Sequence, residues 1–136
     1  MVFYFFCIFI TWFALTMFQL QQHVVWTIIH IAHAIFTFLG FHYFRGTANY
    51  LDENTEYADK DWWTQLDAGV SWTARKRLLT MIPVVLFLYT QYVMYTFFDA
   101  AEENREDYYK LLVPNVCAFA LVMYPKVFCN TKTHYS

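Results

Sequence analysis

The chain alternates between long stretches that carry no charge and short stretches crowded with it. From Met1 to Phe44 there is no Asp, Glu, Lys or Arg. One membrane helix needs about 20 apolar residues, so this stretch is about twice as long as a single span. Four polar residues within Gln19-Leu20-Gln21-Gln22-His23 supply the break. The pattern predicts a first helix over residues 2–18 and a second over 24–44.

Residues 45–77 then form a polar connector holding five Lys/Arg and six Asp/Glu. Gly46-Thr47-Ala48-Asn49 reads as the turn that ends the second helix. Further on, Trp62, Trp63, Leu66, Val70 and Thr73 recur at helical spacing, with Asp61, Gln65, Asp67 and Ser71 between them. A tryptophan-led amphipathic segment that feeds a membrane span predicts a helix lying in the headgroup layer. Gly69 lowers its helix propensity.

Leu78 to Phe98 is a further uncharged run, with Pro83 in its first turns, where a missing N–H is easily tolerated. The loop 99–110 carries five acids and two bases. A last apolar run covers 111–127, with Pro114 near its start and Pro125-Lys126 near its end. A lysine at mid-membrane costs ~2.5–3.5 kcal/mol on insertion scales, so Lys126 is expected to snorkel outward from the helix end. The expected fold is an all-α transmembrane bundle of four helices, with an interfacial segment before the third. Residues 1–136 are expected to form a single integral membrane domain.

Composition agrees with that pattern. Hydrophobic residues make up 59% of the chain and charged residues 15%, against roughly 45–50% and ~25% in soluble domains. A chain of 136 residues with so little charge cannot coat itself in polar groups. The net charge of −2 and the single cationic cluster, Arg75-Lys76-Arg77, give no footing for nucleic acid. Cys7, Cys117 and Cys129 have neither disulfide-framework nor zinc spacing.

No cationic n-region or small-residue cleavage site accompanies the first apolar run, so it is expected to be retained as a helix. An Arg- and Ser-rich transit sequence is absent as well, although internal targeting keeps a mitochondrial membrane open. With four spans, the N-terminus, the connector and the tail share one face. That face holds seven Lys/Arg against two opposite. The positive-inside rule places it in the cytosol, or in the matrix of a mitochondrion.

Candidate chemistry changes the picture little. His23, His30, His33 and His42 all lie on or beside the second helix. Bis-histidine haem ligation calls for ligands on facing helices, and a metal held by a His-x-x-His pair calls for a carboxylate nearby. Neither pattern is present, so the histidines are expected to bond across helices and no cofactor is assigned beyond a structural lipid, for example between the first and last spans. The acids lie only in loops, and no nucleophile–base or phosphate-loop motif occurs, so no residue is expected to be catalytic. Thr80, Thr90, Gln91 and Asn115 are intramembrane polar groups without ionisable partners, which fits interhelical bonding better than a transport path. Asp67 near Arg75 reads as an interfacial ion pair. The aromatics of the first helix, among them Phe5, Phe6, Phe9 and Trp12, run all the way round it, as suits a subunit wedged into a larger assembly.

Two stretches carry a resemblance. The first contains Trp26, His33, His42 and Arg45-Gly46-Thr47. The second contains Trp63-x-Gln65-x-Asp67-x-Gly69-Val70, then Arg75-Lys76-Arg77 and Pro83-x-Val85-Leu86. In order and spacing they resemble the ORMDL (Orm) family of small endoplasmic-reticulum membrane proteins, over roughly residues 24–88. The resemblance implies a four-helix bundle with cytosolic termini. It also implies binding to serine palmitoyltransferase, the first enzyme of sphingolipid synthesis, and restraint of that enzyme when ceramide is plentiful. On it, Trp63, Gln65, Asp67 and Gly69 shape an interfacial elbow, while His33 and His42 tie the second helix to its neighbours. The family's polar, ceramide-sensing segment ahead of the first helix has no counterpart after Met1, and its tail is replaced by Val127-Phe128-Cys129-Asn130-Thr131-Lys132. Two hosts therefore stay open: serine palmitoyltransferase, or another membrane complex, such as a respiratory or ATP-synthase assembly, that reuses the bundle as an accessory subunit.

Overall fold

A computed structural model describes residues 2–43, 61–67, 72–101 and 105–128. Among these the chain is all-helical. The elements are α1 (Val2–Met17), α2 (Gln22–Phe38), α3 (Trp62–Gln65), α4 (Ala74–Ala101) and α5 (Arg105–Phe128). α2 runs on without a break into a π-helical turn, Leu39–Tyr43. Three of these helices are long and apolar enough to cross a bilayer: Gln22–Tyr43, Ala74–Asp99 and Arg105–Phe128. α1 is shorter, at 16 residues, and is apolar as well.

The break between α1 and α2 falls where the polar residues stand. Gln19 takes a left-handed φ of 57°, which turns the chain, and α2 restarts from an extended Gln21. α2, α4 and α5 pack on one another, and α1 lies against α2. Ala34, Ala118 and Val122 form one buried cluster, so small side chains let α2 and α5 approach closely. A second cluster gathers Trp63, Leu79, Ile82 and Leu86, with Tyr4 and Ile8 of α1 packed against it.

The polarity of the molecule is inverted relative to a soluble bundle. Thr27, His30, Thr90 and Asn115 are buried, while Phe6, Phe13, Val85, Leu88 and Val113 are exposed. Such an exterior is stable in hydrocarbon and unstable in water.

Three expectations need correction. The connector was expected to carry an amphipathic helix from Trp62 to Thr73, but among its described residues before α4 helix forms only over Trp62–Gln65. Leu66 leaves the helical region (φ −58°, ψ 128°), and Asp67 takes φ 58°, a conformation Asp tolerates better than most residues. Trp63 does not lie among headgroups; it is 1% exposed, inside the second cluster. Pro83 stands ten residues into α4, because the helix begins at Ala74 and not near Leu78. Gly46 and Gly69 lie outside the described residues.

Candidate functional site

Two polar assemblies occupy the interior. The first is a seam between α2 and α5. His30 Nδ1 donates to Asn115 Oδ1 over 2.8 Å, which fixes the proton on Nδ1. The Asn115 amide donates in turn to Thr27 Oγ1 at 3.3 Å and to the Leu111 carbonyl at 2.9 Å. Thr27 Oγ1 then donates to the His23 carbonyl, 2.8 Å away. Each donor in this chain of bonds meets an acceptor, so the seam ties α2 to α5 through side chains alone. Thr90 bonds the Leu86 carbonyl of its own helix at 2.7 Å and lies 3.5 Å from the carbonyl of Trp26, whose ring meets Tyr89 edge-on.

The second assembly is an elbow where the π turn, α3, α4 and α5 converge. Asp61 caps α3 by accepting from the Thr64 N–H at 3.3 Å. Burial raises the Asp61 carboxyl pKa, but the His42 imidazole and the Thr64 bond outweigh it and hold the group below its ordinary value. His42 Nδ1 lies 3.5 Å from Asp61 Oδ2. A π turn widens the helix locally. Here it carries Phe41 onto Trp63, with ring centroids 5.8 Å apart, and His42 onto the same indole at 5.6 Å.

Trp63 sits between two ammonium groups. Lys76 Nζ is 5.8 Å and Lys126 Nζ 5.2 Å from its ring centroid, within cation–π range. Lys126 is 1% exposed and donates to the Leu79 carbonyl over 2.7 Å. The expected outward snorkelling does not occur. The reason is Pro83, whose ring nitrogen has no hydrogen for the carbonyl four residues earlier, which is that of Leu79. An inward lysine answers a helix carbonyl left without its usual donor.

The remaining motif positions fall around these assemblies. His33 is buried on α2, hydrogen-bonded to the Tyr4 hydroxyl of α1 and 3.3 Å from Thr37 Oγ1. His30 and His33, one turn apart, therefore turn to different helices and do not converge. Among the described residues no group of three or more His, Cys, Asp or Glu could hold a metal ion. Asp67 accepts from the Thr73 hydroxyl and pairs with exposed Arg75 at 3.3 Å, the ion pair expected from the sequence. Gln65 is half-buried beside it. Sequence reasoning missed the role of Asp61, although an Asp directly before Trp62-Trp63-Thr64 is a helix-capping signal.

An inverted exterior, three long apolar helices and polar side chains bonded between helices in the interior define the class: a helical integral membrane protein. Within that class the match is specific. The family model of the ORMDL family covers residues 1–133, and the chain belongs to that family. It is 29% identical over 98 residues to ORM1-like protein 2 of Homo sapiens, covering 71% of this chain and 63% of that protein. It is 32% identical over 95 residues to ORM1-like protein 3 of Rattus norvegicus, covering 68% and 61%. The ORM1-like protein of Drosophila melanogaster is 29% identical over 102 residues, covering 75% of this chain and 59% of its own length. The chain spans about three fifths of the length of these curated relatives.

Proposed function

We propose that this chain is a non-catalytic, ORM-like membrane subunit that binds serine palmitoyltransferase in the endoplasmic reticulum and restrains it in sphingolipid homeostasis. Membership of the ORMDL family over residues 1–133 is the observation that carries this reading. The same match speaks for this host over a respiratory or ATP-synthase assembly.

In this reading α1 is a fourth span and the whole chain one membrane domain. Its 16 residues reach ~24 Å at about 1.5 Å each, short of a ~30 Å hydrocarbon core. Local thinning of the bilayer accommodates such a mismatch. The connector, both termini and the elbow face the cytosol, with exposed Trp62 and Trp72 at the headgroup boundary. Apolar helix faces meet lipid or partner helices, while the elbow holds α3 against the bundle. No metal or redox cofactor is assigned.

The test is to assay serine palmitoyltransferase in membranes with and without this chain while ceramide is added. The proposal expects ceramide inhibition only when the chain is present. An identical response after deletion overturns it. Affinity purification in gentle detergent supplies the second arm, with serine palmitoyltransferase subunits as the expected partners.

A further inference from the structure

A stripe of α4 lies on the outside of the bundle. Leu78, Met81, Val85, Leu88, Tyr92 and Tyr95 are each between 47% and 64% exposed. They follow one another in steps of three and four residues, the spacing of coiled-coil positions a (Leu78, Val85, Tyr92) and d (Met81, Leu88, Tyr95). Beside them Ile82 is buried and Val84 and Gln91 are half-buried, so the stripe is about one helix wide. It rises about 26 Å, most of a ~30 Å hydrocarbon core.

Lipid alone is a poor covering for this stripe. Leu78 to Phe98 carries no charge, and Tyr92 and its neighbour Tyr89 lie about 9 Å and about 14 Å inside the Phe98 end of that run. Helical side chains lean toward the N-terminus, which on α4 turns both hydroxyls toward the membrane centre. Neither hydroxyl has a hydrogen-bond partner among the described residues, and an unmet hydroxyl in hydrocarbon is costly. Elsewhere on the exterior the same cost is avoided. Thr11 and Thr96 bond carbonyls of their own helices at 2.8 Å and 3.0 Å, and Tyr109 and Tyr124 stand near the ends of the apolar run of α5.

A second copy of the chain supplies what is missing. Two copies inserted alike run parallel, and a two-fold axis along the membrane normal sets each a residue against its own counterpart. Tyr92 then meets its twin, and a hydroxyl that both donates and accepts completes the other. A β-branched residue at a with Leu at d, as at Val85 and Leu88, favours two strands. We propose that this chain pairs with a second copy of itself along the α4 stripe. Asp99 holds the next a position, beyond the hydrocarbon, where the symmetric pair brings like charges together and limits its own affinity. The inference needs the membrane setting and no enzyme partner.

The experiment measures energy transfer between copies labelled at Ser136→Cys, in a chain with Cys7, Cys117 and Cys129 replaced by Ala. Phosphatidylcholine liposomes at several protein-to-lipid ratios carry the pair, and transfer is expected to exceed that of randomly mixed monomers. Val85→Trp, at the middle of the stripe, is expected to weaken pairing roughly tenfold. Val116→Trp, on the exposed side of α5, is expected to leave it unchanged. Tyr92→Phe is expected to weaken pairing about three- to tenfold, as an interhelical hydrogen bond allows, and Asp99→Asn to tighten it about twofold. Random-mixing transfer in the parent means that lipid or another protein's helix covers the stripe, and overturns the proposal. Equal losses from Val85→Trp and Val116→Trp, or a Tyr92→Phe pair as tight as the parent, overturn it as well.

Discussion

Lys126 on α5 donates to the backbone carbonyl of Leu79 on α4, 2.7 Å away. That carbonyl is the one Pro83 cannot serve. Two features that each look unfavourable in a membrane helix, a proline in its interior and a buried ammonium, thus form a single interhelical tie. The tie lies beside Trp63, whose ring adds a cation–π contact at 5.2 Å.

The first prediction is a coupling between these residues. Lys126→Met removes the donor and leaves the Leu79 carbonyl bare. Pro83→Ala restores an N–H four residues after that carbonyl. Lys126→Met is therefore expected to cost about 1 kcal/mol less in the Pro83→Ala background than in the parent. A double-mutant cycle on thermal unfolding in detergent measures the difference, and strict additivity refutes the tie.

Much of the fold was legible because charge is so sparse. The runs 24–44, 78–98 and 111–127 each lie within or overlap a long helix, yet α4 and α5 begin four and six residues earlier than the hydropathy runs. Hydropathy marks the part of a helix that suits hydrocarbon and says nothing about polar turns that continue it. Trp63 was misplaced for a related reason: one apolar stripe fits the headgroup layer and a protein interior equally well. The inward turn of Lys126 was hidden because its partner is a carbonyl 47 residues away in sequence. The histidines were read as interhelical, but spacing alone could not assign His30 to Asn115 and His33 to Tyr4.

The seam should respond to loss of Asn115. Asn115→Leu leaves His30 and Thr27 without their partner in a buried setting. The expected loss is roughly 1–3 kcal/mol, allowing for the modest value of interhelical bonds in membranes. Val116→Leu, one position along and exposed, is expected to change stability by less than about 0.5 kcal/mol. Unfolding in mixed detergent compares the two.

α1 is held to α2 in part by the Tyr4–His33 bond. Tyr4→Phe keeps the ring against the Trp63 cluster and deletes only the hydroxyl. It is expected to cost about 0.5–1.5 kcal/mol and to raise hydrogen exchange in α1 before the other helices. Equal exchange in both proteins argues against the bond.

Asp61 sets the pH response of the elbow. Its folded pKa is depressed, so the carboxylate contributes stability above its unfolded value, about 3.9, and loses it as pH falls through the folded value. Asp61→Asn retains a good helix cap and removes the charge. Melting temperatures of parent and variant are expected to differ at pH 7 and to converge below about pH 4. A gap that widens toward acid has the opposite sign and contradicts the assignment.

The placement of four crossings with one shared polar face is tested most directly by labelling single cysteines in sealed microsomes. In a chain with Cys7, Cys117 and Cys129 replaced by Ala, Glu53→Cys and Ser136→Cys are expected to react with an impermeant maleimide from the cytosolic side. Gln21→Cys and Glu103→Cys are expected to react only once the membrane is opened. Cytosolic reactivity at Gln21→Cys would reduce the crossings to three and contradict the account, as would opposite sidedness of Glu53→Cys and Ser136→Cys.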